Sequence, residues 1–86
     1  MNINNLIAIV KKKLTDSIVI EKIKIEDKSF LHKTHSGHQE GRFHLRIIIN
    51  SKELKNLSRI ESNKKIYRIL DQEMKEYIHS LQILIS

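Results

Sequence analysis

The sequence predicts a single α+β domain in which a three-stranded mixed sheet carries helices on one face. Three observations predict it. Apolar residues recur at helical spacing in two stretches, residues 2–14 and the first part of 59–81. Apolar and polar residues alternate in three others, residues 18–26, 42–50 and 80–86. The connections then set the topology. A loop joins the first two strands, which should pair antiparallel, and helices join the second to the third, which should run parallel with a right-handed crossover. The order is αββααβ.

The first helix has a stripe of Ile3, Leu6, Ile7, Val10 and Leu14, with Asn2 as its cap. Lys11, Lys12 and Lys13 fall in its expected last turn. There they read either as charge compensation for the helix dipole, the simpler account, or as a phosphate clamp. Thr15, Asp16 and Ser17 read as a turn. In the first strand Val19, Glu21, Ile23 and Ile25 alternate with Ile20, Lys22, Lys24 and Glu26. Residues 27–41 form the long loop. It holds both glycines and His32, His35 and His38 at spacings of three, and residues 28–41 are expected to be mobile. Those histidines are either metal ligands or solvated polar residues.

Phe43, Leu45, Ile47 and Ile49 give the second strand its core face, and His44 reads as an outward residue. Residues 51–58 form a short helix or turn with Leu54 and Leu57 inward. The long helix follows, with Ile66, Ile69, Leu70, Met74, Tyr77 and Ile78 on one face and Ser58 or Ser62 as cap. His79 stands where helical spacing gives way to the alternation of Leu81, Ile83 and Ile85. The expected core holds Leu6, Val10, Ile23, Ile25, Leu45, Ile47, Ile66, Leu70 and Ile83.

Composition excludes several functions. The 86 residues suit one domain with one modest core. The absence of cysteine removes disulfides, thiol nucleophiles and all-cysteine metal or iron–sulfur sites within the chain. The start MNINNLIAIVKKKL puts apolar residues before lysines, the reverse of a secretory signal, so a cytoplasmic protein without a membrane partner is expected. A net charge of +6 favours polyanions or acidic partners, unless it is only a solvated face. Enzyme chemistry is not expected. The one adjacent acidic pair, Glu26 and Asp27, lies on a strand end, where neighbours face opposite sides.

Three blocks of residues resemble the BolA family. Asp27-Lys28-Ser29-Phe30-Leu31-His32 is similar to its D-x-S-x-x-H. His44-Leu45 through Ile47 to Ser51 is similar to its H-F-x-V-x-x-V-S strand. Lys64 through Ile66-Tyr67, Leu70, Glu73-Met74 and Ile78-His79-Ser80-Leu81 is similar to its R-x-I-Y-x-x-L-x-x-E-L followed by V-H-A-L. The family's R-H-R is Ser62-Asn63-Lys64 here, and its strand phenylalanine is Leu45. The resemblance implies a type II KH-like fold. It also implies a monothiol glutaredoxin partner and a [2Fe–2S] cluster shared with it. This chain would supply His79 and a loop histidine, His32 by the motif, with His35 and His38 as alternatives. No cluster is expected in the isolated chain, which should be a monomer with at most weak self-association. The alternative is a DNA-binding regulator using Lys64, Lys65 and Arg68. Ordinary KH-type RNA binding is disfavoured, because Gly37 and Gly41 do not form a GXXG loop.

Overall fold

The computed structural model describes residues 1–29 and 42–86. His32, His35 and His38, and the mobility expected of the loop, lie outside the described residues, apart from Lys28 and Ser29. The elements are α1 Ile3–Ser17, β1 Lys22–Asp27, β2 Phe43–Asn50, α2 Lys52–Lys55, α3 Arg59–Ile69, α4 Asp71–Glu76 and β3 Ile78–Ile85. No described helix is long and apolar enough to cross a membrane.

The sheet has the order β1-β2-β3. β1 pairs antiparallel with β2, Ile25 opposite Ile47, and β2 pairs parallel with β3, Leu45 opposite Leu81. The mixed topology is therefore as the connections predict. β2, the central strand, buries Leu45, Ile47 and Ile49 against Leu6, Val10 and Leu14 of α1, Ile66 of α3, and Leu54, Leu70 and Ile78. Ile23, Ile25 and Ile83, expected in the core, are only partly buried, because β1 and β3 are edge strands.

Four local expectations change. α1 continues through Thr15, Asp16 and Ser17 instead of turning. The Thr15 hydroxyl donates back to the Lys11 carbonyl at 2.9 Å, Lys12 pairs with Asp16 one turn away, and Ile18 caps the helix with its side chain in the core. The three lysines thus lie inside the helix, and the dipole account of them fails: Lys13 instead binds Glu73 of α4 at 2.7 and 2.9 Å. β1 starts at Lys22, four residues later than its alternation suggests. The long helix breaks at Leu70, whose backbone lies at φ −98° and ψ 17°. Ser58 caps α3 through the Glu61 N–H at 3.1 Å. Buried Ser62 instead donates to the Leu54 carbonyl at 2.8 Å and ties α3 to α2.

Candidate functional site

His79 lies on β3 rather than at a plain helix-to-strand junction. Its position depends on an irregularity in the β2–β3 ladder. Phe43 sits opposite Ile78, but His44 sits opposite Ser80, so His79 is the one extra residue on β3. Such a bulge re-aims side chains. Ile78 before it is buried in the core, whereas His79 and Ser80 after it are exposed. The signal was present in the apolar spacing, because Ile78 and Leu81 are three apart where a regular strand requires two.

The bulge brings His79 against His44. Their rings meet edge to face, with centroids 5.0 Å apart and planes at 62°. His44, expected to be an outward residue, is only 7% exposed. Its Nδ1 bonds the Ser80 hydroxyl, and its backbone N–H donates to the Ser29 hydroxyl at 3.0 Å. Ser29 is itself held by its N–H donating to Asp27 at 2.9 Å, and the Lys28 N–H donates to the His44 carbonyl at 2.7 Å. The Asp and Ser of the D-x-S-x-x-H block therefore fix the backbone beside His44. Arg42 at the far end of the segment donates to the Lys75 carbonyl at 3.0 Å, next to Phe43. Both ends of the segment that bears His32, His35 and His38 are thus anchored at the end of the sheet where His79 lies.

Among the described residues no group of three or more His, Cys, Asp or Glu could hold a metal. Among the described residues this end of the sheet presents the two imidazoles of His44 and His79, with the hydroxyls of Ser29 and Ser80 and the carboxylate of Asp27 beside them.

The basic candidates lie elsewhere, on α3. Lys64 and Arg68 are exposed, one turn apart, and make no ion pair among the described residues. Lys65 is occupied: its ammonium lies 2.9 Å from Glu53. Glu53 also accepts the Val19 N–H at 3.3 Å. The Lys65 hydrogen bond, then that of Val19, lowers the Glu53 carboxyl below the usual glutamate range. Glu26, half of the adjacent acidic pair, is ringed by Arg46, Lys24 and Lys28 at 3.5, 3.7 and 3.8 Å. Its Oε1 is buried and makes no hydrogen bond, so the Arg46 and Lys28 charges stabilise it at ion-pair distance. Asp27 is engaged with Ser29, so the two carboxylates do not act on a common group.

The comparisons with known proteins agree with this architecture. Residues 14–86 match the model of the BolA-like protein family. The chain is 27% identical over 75 residues to the DNA-binding transcriptional regulator BolA of Haemophilus influenzae, covering 87% of this chain and 70% of that one. The BolA domain of SufE1 from Arabidopsis thaliana superposes with a TM-score of 0.77 at 25% identity, over 92% of this chain and 87% of that one. The solution structure of mouse BolA1 shares the fold, with a TM-score of 0.72 at 19% identity, over 90% of this chain and 60% of that one.

Proposed function

Because the chain belongs to the BolA-like protein family, we propose that it is an adaptor that binds a monothiol glutaredoxin and shares a [2Fe–2S] cluster with it, in iron–sulfur trafficking or iron and redox regulation. His79 and one of His32, His35 or His38 are the ligands from this side. The observation that carries the reading is the bulge: it presents an exposed imidazole on a strand whose backbone is already ordered, so little entropy is lost when the ring is engaged. When bound, a cluster with imidazole ligands on one iron has a higher reduction potential than an all-thiolate one. This chain's own residues orient His79 and anchor the loop that brings the second imidazole.

The test is the visible spectrum of this chain mixed with a monothiol glutaredoxin under cluster-reconstitution conditions, for the native sequence and for His79→Ala. The variant should lose or markedly weaken the histidine-ligated spectrum while keeping its fold. An unchanged spectrum and unchanged cluster stability would remove His79 as a ligand.

A second reading is favoured by the Haemophilus influenzae relative, a DNA-binding transcriptional regulator. Lys64 and Arg68 would contact phosphates, with Lys65 contributing once released from Glu53. Each phosphate contact removed should reduce the slope of log affinity against log salt by about 0.9. A single Ala substitution at Lys64 or Arg68 should show that change, and at Lys65 a smaller one. Slopes unaffected by all three substitutions would rule out α3 as the contact.

A further inference from the structure

The two edges of the sheet are built differently. β1 carries Lys22, Lys24, Glu26 and Asp27 among its six residues, the charged edge with which proteins avoid further strand pairing. β3, eight residues long, carries no Lys, Arg, Asp or Glu and no proline. No strand among the described residues pairs with its outer edge. The Ser86 N–H donates to the Ile49 carbonyl at 2.8 Å and its carbonyl accepts from Ser51 at 3.2 Å, so residue 86 turns both backbone groups toward β2. Alternate residues point the other way, which directs the N–H and C=O of Ile83 and Ile85 outward. One outward carbonyl further back, that of Leu81, accepts the Tyr67 hydroxyl at 3.3 Å.

A groove of about 410 Å³ runs beside this edge, between β3 and the α2–α3 corner. Leu54, Leu57, Ile83 and Ile85 give it apolar walls, and Lys55 and Arg59 stand on its rim. Both cations are exposed and make no ion pair among the described residues. We propose that this edge and groove bind an extended acidic segment of a partner protein, added to β3 as a fourth strand. Main-chain hydrogen bonds to Ile83 and Ile85 would supply affinity, an apolar side chain over Leu54 and Leu57 would set register, and carboxylates would meet Lys55 and Arg59. The net charge of +6 opposes a second copy of this chain as the occupant. Single-stranded nucleic acid fits less well, because among the described residues no aromatic side chain lines the groove to stack a base.

The probe is a blocked heptapeptide alternating glutamate with valine, titrated into the ¹⁵N-labelled native chain. The expected result is amide shifts and slowed exchange centred on Ile83 and Ile85, with affinity lowered about tenfold in the Lys55→Glu, Arg59→Glu double variant. The same peptide N-methylated at its valines should not bind, which tests strand pairing with the protein unaltered. The proposal is overturned if the peptide leaves Ile83 and Ile85 unperturbed, or if a lysine–valine analogue binds as well. It is also overturned if only a single-stranded oligonucleotide protects these amides, or if the free chain sediments as a dimer and ignores the peptide. Neither iron nor glutaredoxin enters the experiment, so its outcome is independent of the role of His79.

Discussion

His44 and His79 are 35 positions apart, and their imidazoles meet edge to face with centroids 5.0 Å apart. The inner ring is buried and bonded to Ser80, and the outer ring is exposed. This division of labour predicts different outcomes at the two positions. His44→Ala should cost about 1–3 kcal/mol, because it opens a cavity and leaves the Ser80 hydroxyl without this partner. It should also shift the ring proton resonances of His79 in the isolated protein. His79→Ala should cost well under 1 kcal/mol, since an exposed side chain away from the core is lost. Chemical denaturation and one-dimensional NMR check both, and equal costs would mean that His79 is itself structural.

The Lys13–Glu73 pair predicts an asymmetry. The Glu73 side chain is 6% exposed and that of Lys13 is 37% exposed. Lys13→Met strands a buried carboxylate and should cost about 2–4 kcal/mol. Glu73→Gln leaves Lys13 able to turn to water, and should cost about 1–2 kcal/mol. Urea midpoints rank the two, and the reverse order would contradict the burial of Glu73.

Glu53 predicts an acid-side dependence. Its carboxyl is lowered in the folded chain, so its contribution is fully present above the unfolded glutamate value and is lost as pH falls through the lower folded value. Lys65→Met removes the hydrogen bond that contributes most to that lowering. The stability gap between the native chain and this variant should therefore be widest near neutrality and close on acidification through the lower glutamate range. A gap that is constant with pH would show that the pair contributes nothing.

The bulge predicts the effect of deletions. Removing His79 leaves Ile78 two positions from Leu81, which restores period-two spacing and a regular ladder. The deletion should fold with a thermal midpoint near that of the native chain. Removing Gln82 instead throws Ile83 and Ile85 onto the opposite face, and that variant should melt far lower or fail to fold. Comparable melting of the two would mean that the register is not set at the bulge.

Much of this was legible in the chain before folding. The 3.6-residue stripe of Leu6, Val10 and Leu14 and the alternation of Leu45, Ile47 and Ile49 are local patterns, and the structure buries all six. The Asn2 cap was equally readable, with the Asn5 N–H 2.8 Å from its side chain. The mixed sheet followed from the lengths and types of the connections. His79 was singled out by its place between two periodicities and by its match to a family motif. What only the tertiary structure decided is non-local. α1 outruns its stripe because Ile18 finds a place in the core, and Lys13 is drawn to a carboxylate sixty positions away. His44 is buried although its strand position reads as outward, because Ser29 and Ser80 reach it from two other segments. The bulge arises between β2 and β3, where the core must keep both Ile78 and Leu81, and one residue must leave the ladder to allow it. Periodicity belongs to a single segment and can be read from it, whereas register belongs to a pair of segments and is settled only when they pack.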